Sequence, residues 1–212
     1  MGEAMFVGTL LPLAFLIIIL KGENRQLMLF FTWGLIAFAL SLTLNNALVR
    51  LLVIDTRELS ITWAPIIEEF TKALPLVYFI LRPDKTNIPY AYFGIAVGIG
   101  FSIQENYVYL FNHMTGDGSP VLFVITRSVT SCLIHAIATG TVGFGLTMAK
   151  KFNGSILPIL FGLFTLSVTI HALYNLYITS SYHHIGMLMP LVLYLMGLAV
   201  LSSKGDNNDK KV

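Results

Sequence analysis

The chain has 212 residues, 56% of them hydrophobic and only 11% charged, with a mean hydropathy of +0.77. A soluble domain is about 25% charged, so this balance excludes an ordinary soluble protein, and a net charge of +2 gives no footing for nucleic acid. The single cysteine, Cys132, excludes an internal disulfide, and no CxxC pair suggests a metal knuckle.

About 20 apolar residues cross the hydrocarbon layer of a bilayer. That rule predicts an all-α polytopic transmembrane bundle of about seven spans, over residues 4–20, 27–48, 61–81, 90–111, 120–149, 156–179 and 185–202. The first run has no basic residue before it and Lys21 after it, the reverse of a cleaved signal peptide, and reads as a retained helix. The second and fifth runs are long enough to tilt, kink or extend beyond the membrane. Pro65 and Pro75 bracket the charged section of the third. The connections, such as "KGENRQ", "DTRELS" and "RPDKTNIP", are too short for a soluble domain, and no internal repeat is visible. The polar tail, 204–212, reads as cytoplasmic and disordered. Lys21, Arg25, Arg82, Lys85, Lys150, Lys151, Lys204, Lys210 and Lys211 fall on one side, and Arg50 and Arg57 on the other. By the positive-inside rule the N-terminus is expected outside and the C-terminus in the cytoplasm of a cell membrane.

Charged groups inside a span cost about 2.5–3.5 kcal/mol on insertion scales and point to function. Here they are Glu68, Glu69, Lys72, Glu105 and Arg127, joined by Asn106, His135, His171 and Asn175. Counted from the expected outer ends of their spans, Glu68 and Glu69 lie seven and eight residues in, Glu105 six and His171 eight. At 1.5 Å per residue all sit about 10 Å below the outer surface. Three helices running in different directions therefore bring polar groups to one level. His135, fifteen residues into the fifth run, joins them only if that segment starts late or tilts. Lys72 is three residues from Glu69 and four from Glu68, so it can reach either. The two glutamates are about 100° apart on a helix, which predicts a division of labour: one faces the site and the other is held by Lys72 or Arg127.

These residue types suit peptide hydrolysis, which needs an activated water, charge stabilisation for the oxyanion and an acid for the leaving amine. A glutamate can be the base. Histidines with a further carboxylate can bind zinc or another divalent metal through N and O ligands. Histidine and asparagine can equally serve the oxyanion directly, with no metal.

Four motifs in order carry a resemblance: "EEFTK" (Glu68 to Lys72) preceded by "AP", "GFSIQEN" (Gly100 to Asn106), "HAIATG" (His135 to Gly140) and "HALYN" (His171 to Asn175). Together they resemble the PrsW family of intramembrane proteases, related to the type II CAAX prenyl endopeptidases. The resemblance implies a membrane protease domain over 1–203, embedded in lipid and acting on a membrane-protein or peptide substrate, as in site-1 cleavage of a membrane-anchored anti-sigma factor. It implies Glu68 or Glu69 as the water-activating base, Glu105 as a further site carboxylate, His135 and His171 as ligands or oxyanion donors, and Asn175 as a helper of His171. Glu105, His135 and His171 are then the expected ligands if a metal is present, with Lys72, Arg127 and Asn106 in support. The CAAX group has EExxxR where this chain has EExxK, and FxxxH where it has Phe101 and Glu105, which speaks against prenylated substrates.

Plainer readings stand beside these. The Glu68–Glu69–Lys72 group could be a structural ion cluster, Glu105 a cavity-lining residue, and His171 with Asn175 interhelical glue. Arg127 reads as a structural counter-ion, and Gln104 and Thr139 as supporting contacts. Asn45 and Asn46 have no reading beyond packing or cavity lining. Gly94, Gly98 and Gly100 read as close helix packing. A proton- or cation-coupled transporter also uses intramembrane Glu, Lys and His, and is the rival class.

Overall fold

In lipid the backbone has no water to bond, so an apolar chain satisfies its N–H and C=O groups within helices. The computed structural model describes residues 10, 13–81, 88–113, 119–151 and 156–209, and no strand occurs among them. Helix α1 covers 13–19, while residues 4–9, 11 and 12 of the first predicted span lie outside the described residues. There follow α2 (Gly22–Leu52), α3 (Thr56–Glu58), a π-helical turn (Leu59–Trp63), α4 (Ala64–Leu81), α5 (Tyr90–His113), α6 (Pro120–Lys151), α7 (Ile156–Ile178) and α8 (His183–Asp209). Helix α8 carries on into the polar tail as far as Asp209. Among the described residues, three helices are long and apolar enough to cross a membrane: Gly22–Leu52, Pro120–Ala149 and Leu157–Ile178. Helix α4 has three charges in 18 residues, Glu68, Glu69 and Lys72.

Large apolar side chains cover the outside, and charged and polar side chains are buried within. Phe15, Ile19, Leu122, Leu157, Phe161 and Leu195 point outward, whereas Glu69, Lys72, His135 and His171 are buried. Phe30, Leu76, Phe93, Val97, Val142 and Leu146 form an apolar core that closes one side of this polar interior.

Glycines set the helix spacing. A Cβ at Gly34 would meet Val97 O at 2.1 Å, and one at Gly100 would meet Phe31 O at 2.0 Å, so α2 and α5 run in backbone contact. A Cβ at Gly98 would meet His135 O at 2.2 Å, and one at Gly94 Thr139 O at 2.3 Å, so α5 and α6 do the same. The sequence "GIAVGIG" thus serves two neighbours, and its Gly98 contact brings His135 beside α5.

The prolines of α4 also have structural partners. Ala64 N–H bonds Leu59 O in the π register, so the next nitrogen, that of Pro65, has no hydrogen to give Ser60 O. Asn175 Nδ2 donates to that carbonyl at 2.8 Å. Pro75 likewise leaves Thr71 O without its helical donor, and Trp33 Nε1 donates to it at 3.0 Å. Each proline frees a carbonyl, and a side chain from another helix takes it, which also ties α7 and α2 to α4.

Candidate functional site

Helices α4, α5, α6 and α7 bring Glu68, Glu69, Lys72, Glu105, Arg127, His135 and His171 into one connected cluster. The three carboxylates are in very different states.

Glu69 is fully buried and holds four donors. Lys72 Nζ donates to its Oε1 at 2.5 Å, and His171 Nδ1 does so at 2.9 Å. Thr139 and Ser167 hydroxyls donate to its Oε2 at 3.1 and 3.0 Å. Lys72 is equally buried and pairs with Glu69, one turn away on the same helix. Its ammonium also donates to His135 Nδ1 at 2.9 Å and lies 4.3 Å from the centre of the Phe101 ring, so a cation is balanced by a carboxylate and an aromatic face.

Glu105 is held from the other side. Arg127 Nη2 donates to its Oε2 at 2.6 Å, Ser131 Oγ at 2.9 Å and His135 Nε2 at 3.1 Å. Arg127 also donates through Nε to Asn106 Oδ1 at 2.9 Å and stacks 3.8 Å over Tyr109. The counter-ion reading of Arg127 and the supporting place of Asn106 both describe this geometry.

Glu68 differs from both. Its Oε2 is buried without a hydrogen-bond partner, 3.7 Å from His171 Nε2. His171 gives its Nδ1 hydrogen to Glu69, which leaves the Nε2 lone pair facing Glu68. A carboxylate behind a histidine, fixing its tautomer and its angle, is the arrangement found behind metal-binding histidines.

Glu68, His135 and His171 each place one ligand atom within 4.8 Å of the others. The donor set, one carboxylate and two imidazoles, suits zinc. The unpartnered Glu68 oxygen and the free Nε2 of His171 fit a cation directly. His135 has both nitrogens engaged, Nδ1 accepting from Lys72 and Nε2 donating to Glu105, so it would ligate as the neutral imidazole once one of them is freed. The carboxylate of this group is Glu68, whereas the motif comparison puts Glu105 in the ligand set. Asn175 stands one turn beyond His171, on the Ser60 carbonyl. His183 and His184 are exposed and pack on each other at the start of α8.

His135 joins the cluster although its count from the helix start is high. Helix α6 has 32 residues, so it is about 48 Å long, well beyond the ~30 Å hydrocarbon layer. Counting from Pro120 therefore overstates how far His135 lies along the usable part of the helix. Ser167 and Ser131 were not legible as site residues one by one. Each is four residues before a histidine of the cluster, His171 or His135, and that spacing on one helix face was the available signal.

A membrane-embedded bundle, apolar outside and carrying a buried Glu–His–His group, has the features of an intramembrane metalloenzyme. The family model described as PrsW family intramembrane metalloprotease matches residues 23–201, from the start of α2 into α8. The chain belongs to this family, and it is an integral membrane protease acting on membrane-protein substrates within the bilayer. Nothing matches it among curated proteins or among solved structures. Family membership decides between the protease and the transporter.

Proposed function

We propose that the protein cuts a membrane-anchored protein with water activated by Glu68. One observation carries this reading: of the three site carboxylates, Glu68 alone has a buried oxygen without a hydrogen-bond partner, while Glu69 is held by Lys72 and His171 and Glu105 by Arg127 and His135. A base must have a lone pair free to accept a proton.

Glu68, His135 and His171 would hold the metal, which when bound supplies a Lewis acid for the scissile carbonyl and a water of lowered pKa. A carboxylate has two oxygens, so Glu68 can give one to the cation and take the proton of the attacking water with the other. Glu68 then hands that proton to the leaving amine. Glu69 keeps His171 in the tautomer with Nε2 toward Glu68, and Lys72 keeps Glu69 ionised in an apolar bundle. Glu105 and Arg127 fix His135 from the opposite side.

The chain is read as a seven-span bundle in the cell membrane, with the N-terminus outside and the C-terminus cytoplasmic. Residues 1–203 form the protease domain and 204–212 the tail. The matching depths of Glu68, Glu105 and His171, counted along the sequence, support a cut near the outer leaflet. That location suits a site-1-type cleavage, such as that of a membrane-anchored anti-sigma factor.

The test uses purified protein in detergent and a single-pass test substrate, with and without a chelator. The wild type is expected to cut, chelation to stop it, and Glu68→Gln to lower the rate at least about a hundredfold. Unchanged cutting by Glu68→Gln would remove Glu68 from the mechanism. Cutting that survives chelation would assign the reaction to the glutamate and histidines alone.

A further inference from the structure

Among the described residues, four carry a buried side-chain N or O atom without a hydrogen-bond partner: Gln26, Asn45, Glu68 and Gln104. Gln26 sits near the start of α2. The other three fall in one band of the bundle. Phe30 packs on Phe93, Gly34 abuts Val97 and Phe38 meets Phe101 edge to face, so α2 and α5 run parallel with a constant offset. Gln104 continues the face of α5 formed by Val97, Gly100 and Phe101, and the offset sets it level with Ser41. Ser41 Oγ lies 2.6 Å from Thr71 Oγ1 and Leu76 shares the apolar cluster with Phe30, so α4 runs antiparallel to α2. Asn45, one turn beyond Ser41 on the same face, is then level with Glu68. Asn45 is 9% exposed and Gln104 5%, on α2 and α5, the helices that both pack against α4, which carries Glu68.

An unpartnered buried amide is costly, at about 1–3 kcal/mol, and packing does not require one. The orphan atoms are an acceptor, Asn45 Oδ1, and a donor, Gln104 Nε2. A peptide main chain presents the complementary pair, an N–H and a C=O. A substrate helix must unwind to expose a peptide bond, and inside a bundle the freed backbone groups have no water to bond.

We propose that Asn45 and Gln104 are substrate-binding residues, which take up main-chain N–H and C=O groups of the unwound substrate segment beside Glu68. This rests on the protease reading above. The amides hold the extended strand in register with the base, as main-chain bonds do where a peptide docks on a sheet edge. Their role is in binding and not in the proton transfer.

The test compares Asn45→Leu and Gln104→Met, near-isosteric changes that remove the orphan polar atoms, with the wild type and Glu68→Gln. Each amide variant is expected to unfold at the same or a higher temperature. Each should raise KM about fivefold with kcat held within about twofold. On the Glu68→Gln background, where cutting is slowed at least about a hundredfold, each should weaken photocrosslinking of the test substrate to the same degree. Substrates with single backbone esters, which lack one N–H, supply a further reading. One ester position should penalise the wild type and leave Asn45→Leu indifferent. A fall in unfolding temperature with KM unchanged would make the amides structural and overturn the proposal. So would an ester scan with no position that depends on Asn45. Failure of the Glu68 reading looks different, because Glu68→Gln would then cut like the wild type.

Discussion

Lys72 Nζ lies 2.5 Å from Glu69 Oε1, with both side chains wholly buried and one turn apart on α4. In an apolar interior neither charge is tolerable alone. Breaking a buried pair from one side costs about 3–5 kcal/mol, because it strands the partner. Glu69→Gln and Lys72→Met are each expected to lose that much. The double variant should lose clearly less than the sum, since it strands no charge. Thermal unfolding in detergent measures all three, and additive losses would show that the pair is not coupled.

Metal content follows from Glu69 at one remove. His171→Ala is expected to abolish stoichiometric zinc on the folded protein. Glu69→Gln should weaken zinc binding about 10–100-fold, because it replaces the charged acceptor that aims His171 through Nδ1 with a neutral amide. Competition with a chromogenic chelator gives the affinities, restricted to the folded fraction. Equal affinity in Glu69→Gln and wild type would reduce Glu69 to a packing role.

Gly98 sets how closely α5 approaches His135. A Cβ there would meet the His135 carbonyl at 2.2 Å, and backbone cannot yield as a side-chain tip can. Gly98→Ala is expected to cost about 1–3 kcal/mol and to lower cleavage by moving Glu105 away from His135. Gly162→Ala, with nothing within 4 Å of the added carbon, is the control and should leave cleavage unchanged and stability the same or slightly higher.

Asn175 takes the carbonyl that Pro65 frees, so its loss leaves Ser60 O without that donor. Asn175→Leu is expected to destabilise the protein by about 1–3 kcal/mol. The variant Asn175→Leu with Pro65→Ala should recover part of this, because an alanine N–H can return to the helical ladder. A cleavage defect in Asn175→Leu that persists at full stability would instead place Asn175 at the reacting carbonyl.

The sequence by itself determined the all-helical character, because long apolar runs leave the backbone no other way to satisfy its polar groups in lipid. It also determined which residues were out of place, since Glu68, Glu69, Lys72, Glu105, Arg127 and the histidines stand where charge is expensive. The close packing of Gly94, Gly98 and Gly100 was legible as a motif, though not that it serves both α2 and α6. Only the tertiary structure decided which glutamate is held. Spacing let Lys72 reach either Glu68 or Glu69, and the choice depended on Thr139, Ser167 and His171 arriving from two other helices. Likewise Asn175, paired with His171 by spacing on one face, turns to a carbonyl that is free only because Pro65 follows a π-helical turn. Local spacing fixes what a side chain can reach along its own helix. Its partner is settled by the neighbours packed against that helix, and those are set by distant parts of the chain.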